Sequence, residues 1–124
     1  MKYSSKMSNL IVLALQSLAQ VRYMHWMTTN YIVHKELGAF YDKLDELNDR
    51  LVESYLGSTQ ERLNLRDLTL PVLAPSESLT YEQALLNIKR QFKGLRDNLD
   101  SALQNVIDEI TGAIDQTLYL IKLK

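Results

Sequence analysis

Four side chains in this sequence could do metal chemistry together: His25, His34, Asp49 and Glu53. The chain has two histidines and no cysteine. Thiolate zinc sites, iron–sulfur clusters, disulfide scaffolds and cysteine nucleophiles are therefore excluded. Imidazole with carboxylate suits iron among the transition metals. At about 100° per residue, Asp45, Asp49 and Glu53 fall about 20°, 60° and 100° round a helix from His34, with Tyr41 on the same side. A solvated acidic face would give the same pattern. His34 and Asp49 stand 15 residues apart, about 22 Å along a helix, too far to share an ion within one chain. An antiparallel copy of the helix, crossing near residue 41 or 42, would set His34 opposite Asp49 of its mate. Two-fold symmetry would then make two identical sites. Each would take His25 and His34 from one chain and Asp49 and Glu53 from the other.

Such a site needs long helices, and the sequence predicts four. The first spans about residues 5–27, with a core stripe of Met7, Leu10, Ile11, Ala14, Leu18 and Val21 in steps of three and four. Val12, Leu15, Ala19 and Trp26 give it a second apolar side, as in a bundle that also oligomerises. Thr28-Thr29-Asn30 reads as a tight turn. The second helix, about 31–56, buries Leu37, Phe40, Leu44, Leu47, Leu51 and Tyr55 and is expected to end at Gly57. Residues 57–79 hold both prolines, Pro71 and Pro75, and are long enough to cross a bundle from end to end. A short helix around Gln60 to Leu65 fits within them. Thr80 with Gln83 three residues on is a capping box for a third helix, about 80–97. A turn at Asp97-Asn98-Leu99-Asp100 separates it from a fourth, about 101–122, with Leu103, Ile107, Ile110, Ile114, Leu118 and Ile121 inward. The expected fold is all-α: one domain, a four-helix bundle of two helical hairpins joined by one long crossover.

Composition agrees. With 124 residues and 46% apolar side chains, the chain can build a single core. The four glycines and two prolines are too few for a many-stranded sheet. A net charge of −1 supplies little phosphate-binding surface, so DNA binding is expected to be weak or absent. No run approaches the ~20 apolar residues of a membrane span. Lys2, Lys6 and the run Leu10 to Leu15 imitate a signal peptide, but the apolar period continues through Val21 and Met24. A cytoplasmic location is therefore expected. No glycine-rich phosphate loop is present, and nothing pairs a serine or threonine with a histidine for nucleophilic catalysis.

His25-Trp26, then His34, then Asp49-x-x-x-Glu53 resembles the ferroxidase motif of the Dps-type miniferritins, ferritin-like proteins of starved bacterial cells. The string Tyr41-Asp42-Lys43-Leu44-Asp45-Glu46-Leu47 is similar to that family's second helix, and Val106 to Ile121 matches its last helix in apolar spacing. The resemblance covers most of the chain, with its specific part at residues 25–53. It implies a ferritin-like fold and a homo-oligomer built from two-fold dimers into a larger shell. It also implies Fe(II) oxidation by peroxide or oxygen, with His25, His34, Asp49 and Glu53 as iron ligands and Trp26 packed beside the site. The chain would be a short and divergent member, of a size suited to a compact genome such as a phage's. Its histidines lie nine apart, about one turn closer than is usual in that family. Gly38 also stands where the family places a carboxylate, four residues after the second histidine. The alternative is a ferritin-like bundle that kept the fold but works as a structural or partner-binding oligomer.

Overall fold

A computed structural model describes residues 5–62, 69–76 and 79–123. Four helices occupy them: α1 (Ser5–Met27), α2 (Tyr31–Thr59), α3 (Tyr81–Arg96) and α4 (Ser101–Ile121). Among the described residues there is no strand, and no helix is long and apolar enough to cross a membrane.

The caps follow local chemistry. The Asn30 side chain accepts from the backbone N–H of Val33, and Asp100 does the same for Leu103. Thr80 and Gln83 form the expected reciprocal capping box. The end of α2 differs from expectation. The helix runs past Gly57 to Thr59, and Gln60 takes the left-handed conformation at φ 60°. The Ser58 and Thr59 hydroxyls donate to the Tyr55 carbonyl, and the Gln60 amide donates to the Gly57 carbonyl. These side chains add hydrogen bonds to carbonyls of the last turns of α2, and the Gln60 N–H caps the Leu56 carbonyl. Residues 60–62 are not helical, and the rest of the short helix expected around Gln60 to Leu65 lies outside the described residues.

Each hairpin is antiparallel, and a ring of neighbours closes the bundle in the order α1, α2, α4, α3. Arg50 of α2 pairs with Glu109 of α4 at 2.8 Å, while Phe40 faces Thr117 across the same seam, so α2 and α4 are antiparallel. On the other side, Gln20 lies beside Ala84 and Leu13 beside Leu95, so α1 and α3 are antiparallel too. The crossover must therefore return the chain from the end of α2 to the opposite end of the bundle. It is held on α1 on the way. Gln20 donates to the Leu73 carbonyl at 2.9 Å and accepts from the Leu73 N–H at 2.7 Å, and Gln16 donates to the Pro71 carbonyl.

The core is the sum of the four inward stripes. On α2 and α4 every expected core residue is buried. On α1 the stripe is turned: Leu13 and Met24 are buried with Ser17 and Gln20, while Ile11 and Leu18 are only partly covered. Asn48 explains part of this, because its amide donates to the Ala14 carbonyl at 3.0 Å and to the Ser17 hydroxyl at 3.3 Å. The Asn48 Nδ2 donor is thereby satisfied, whereas its Oδ1 is buried with no hydrogen-bond partner among the described residues. At the α3–α4 turn, Arg96 donates two bonds to Asp108, at 2.8 and 3.0 Å, and holds that carboxyl below its usual range. Because the folded-state value is lowered, this pair adds stability above the ordinary carboxylate range and loses it as pH falls. Both groups are well exposed, so the contribution is small.

Gly57 and Gly94 are helical and exposed, with nothing within 4 Å of where a Cβ would stand. Replacing either by alanine should therefore stabilise the bundle by about 0.5–1 kcal/mol, through the lower backbone entropy of the unfolded chain. Thermal unfolding by circular dichroism measures it, and a drop in Tm would contradict the open space described.

Candidate functional site

The three-residue turn between α1 and α2 brings the two histidines together. His25 lies in the last turn of α1 and His34 in the first turns of α2, where its N–H makes the first helical bond to Asn30. The imidazoles stack, with centroids 3.9 Å apart and planes inclined by 17°. Each reaches the other's backbone: His25 Nδ1 to the His34 carbonyl at 2.7 Å, His34 Nδ1 to the His25 carbonyl at 2.8 Å. A carbonyl only accepts, so both Nδ1 atoms carry the proton and both Nε2 atoms hold lone pairs in the neutral rings. The bond to the His25 carbonyl also satisfies one of the four orphan carbonyls at the end of α1.

Gly38 makes room for this clasp. A Cβ built on it would stand 2.9 Å from Cε1 and 3.2 Å from Nδ1 of His25. The sequence alone shows Gly38 as a ligand missing from a motif. In the structure it is the floor on which the His25 ring lies. A glycine inside a helix one turn after a histidine is the available signal for such an approach. The next layer along the seam is Arg22 over the Tyr41 ring, 3.8 Å from its centroid. That guanidinium places a positive charge one helical turn from His25.

The expected acids do not join this pair within one chain. Asp49 and Glu53 are exposed on α2, one helical turn from each other and well beyond His34. Among the described residues, no group of three or more histidine, aspartate or glutamate side chains could hold a metal ion. Nor do the two imidazoles converge on one ion, because the Nε2 lone pairs lie in nearly parallel ring planes. Trp26, the next residue after His25, is 64% exposed. The fit to a transition metal is thus partial: one chain supplies two imidazole donors, and carboxylates must come from elsewhere.

This architecture defines a class: an antiparallel four-helix bundle whose first hairpin is clasped by reciprocal histidines. The chain belongs to a family of unknown function, DUF5856, which it matches over residues 25–121, from the first histidine to the end of α4. It is also similar to the uncharacterized 14.6 kDa protein in the mobD-ri intergenic region of Enterobacteria phage T4. Identity is 26% over 120 residues, covering 97% of this chain and 91% of the phage protein. No solved structure matches the chain.

Proposed function

We propose that the protein is a Dps-like iron-handling bundle whose sites are shared between two chains. The supporting observation is the histidine pair, whose Nδ1 atoms are committed to backbone carbonyls and whose Nε2 atoms remain lone-pair donors. In the antiparallel two-fold pairing described above, Asp49 and Glu53 of a second chain come to this end of the hairpin. Neither acid is tied up in an ion pair among the described residues. Fe(II) is the substrate in this reading. Two ferrous ions lose one electron each, and hydrogen peroxide takes both electrons with two protons to leave two waters. The residues' task is to bind and orient the ions, with the clasp fixing the tautomer of both imidazoles. The expected setting is a cytoplasmic homo-oligomer that stores iron and limits peroxide damage.

A second reading has its own observation. The clasp, seated on Gly38, holds the hairpin together without any ion, and Arg22 beside it disfavours a cation. A structural or partner-binding bundle that never turned over iron would look like this. Anaerobic Fe(II) titration followed by peroxide separates the two. The iron reading expects saturable binding at one or two ions per chain, with oxidation faster than in protein-free buffer. Binding no stronger than to free histidine, with unaccelerated oxidation, would leave the structural reading standing.

A further inference from the structure

Opposite the histidine flank, α2 and α4 enclose an open groove of about 440 Å³. Its sides include Ala39 and Ala113, with Glu36 and Lys43 on the α2 rim. At about 100° per residue, Glu36, Ala39 and Lys43 lie about 140–200° round α2 from His34, well away from Asp49. Glu36 and Lys43 form no ion pair among the described residues. They are seven residues apart, about 10 Å along the axis, too far to pair with each other. Under a two-fold axis at Ala39 and Phe40, however, this rim is complementary to itself. Glu36 of one chain meets Lys43 of the other, and the reverse contact repeats it. Ala39 is exposed and small, so nothing at the axis keeps two helices apart. Ile32, Tyr119 and Leu123, at 40%, 63% and 60% exposure, extend apolar surface at one end of the two helices.

We infer that the α2–α4 groove binds a second copy of this chain, with α2 antiparallel to α2 and two reciprocal Glu36–Lys43 pairs. This interface is separate from the shared iron site and uses the other flank of α2. A chain carrying both interfaces would join dimers into larger assemblies.

Charge reversal tests it, in buffer containing a chelator so that no metal-bridged contact contributes. Sedimentation equilibrium gives the mass and the dissociation constant. Glu36→Lys sets lysine against lysine, and Lys43→Glu sets glutamate against glutamate. Each should raise the dissociation constant of this contact roughly tenfold or more, and high salt should weaken the wild-type contact. The double variant, with both pairs exchanged in sign, should recover association, and so should an equimolar mixture of the two single variants, in which one pair is exchanged in sign and the other is as in the wild type. Ala39→Arg blocks the axis without touching either pair and should dissociate the contact alone. All positions are at or near the surface, and circular dichroism confirms the fold. A monomeric wild type, single reversals with unchanged mass, or single reversals that fail to complement each other would each overturn the inference. Its failure leaves the iron reading untouched, because His34→Ala and Asp49→Ala act on the other flank.

Discussion

Mixing a His34→Ala chain with an Asp49→Ala chain should return about half of the wild-type Fe(II) oxidation that each variant loses alone. In a two-fold dimer with shared sites, each homo-oligomeric variant damages both sites, once from the histidine side and once from the carboxylate side. The heterodimer concentrates both defects in one site and leaves the other whole. Loss of an iron ligand costs on the order of tenfold or more in each single variant. The measurement is the initial rate of Fe(II) oxidation in heterodimers purified through two different tags. No recovery in such heterodimers excludes a site shared across chains. Full activity in both single variants shows that the acids are a solvated face. Asp49→Ala should leave Tm unchanged, because the residue is exposed and in no ion pair among the described residues. His34→Ala should lower it, because it removes one bond of the clasp.

Gly38→Ala carries the largest stability contrast. In an open helical position the change from glycine to alanine gains stability, as expected for Gly57 and Gly94. At Gly38 the new Cβ would stand 2.9 Å from the His25 ring. The ring must swing away and give up its bond to the His34 carbonyl, together with the stack on His34. That loss is about 1–2 kcal/mol, against the propensity gain of up to about 1 kcal/mol. Relative to Gly94→Ala the variant should be lower by about 1–2 kcal/mol, roughly 3–8 °C in Tm. The ring signals of both histidines should shift in nitrogen-detected spectra. Equal stabilisation of Gly38→Ala and Gly94→Ala would show that the clasp contributes nothing.

The parts of the fold that were legible in the sequence are those where apolar spacing had one solution. On α2 and α4 the apolar residues at steps of three and four are buried and most of the remaining positions are polar, so the period picks the face. Thr80 and Gln83 announced α3 because a capping box needs only local contacts. On α1 the pattern misled. That helix is apolar on several sides, and the deciding contacts are polar and distant: Ser17 with Asn48, and Gln20 with the backbone of Leu73. No hydropathy pattern marks a glutamine for burial. Gly57 misled in a similar way, because the carbonyls of Tyr55, Leu56 and Gly57 are satisfied by the three residues that follow it.

The candidate site was legible in its members and only partly in its arrangement. The turn at residues 28–30 implied that His25 and His34 would approach. Their stacking, the fixed tautomers and the service of Gly38 depend on how closely two helices can meet, which spacing alone does not encode. The positions of Asp49 and Glu53 on an exposed flank match the expectation from helical geometry. Whether a second chain meets them is the question the mixed-variant experiment answers.

The strap that Gln16 and Gln20 place on the crossover sets the order in which the molecule can assemble. The histidine contacts close a separation of 9 residues, whereas the Gln20–Leu73 bonds close one of 53 and the Gln16–Pro71 bond one of 55. Short loops close at lower entropic cost, so each hairpin can form on its own while the crossover is still free. Both halves of the Gln20 side-chain amide meet one residue, the N–H and the C=O of Leu73, so this contact forms only when the crossover lies along α1. The long separations it closes place the strap, as an expected result, on the late side of the folding barrier. Weakening it by Gln20→Ala should speed unfolding far more than it slows refolding.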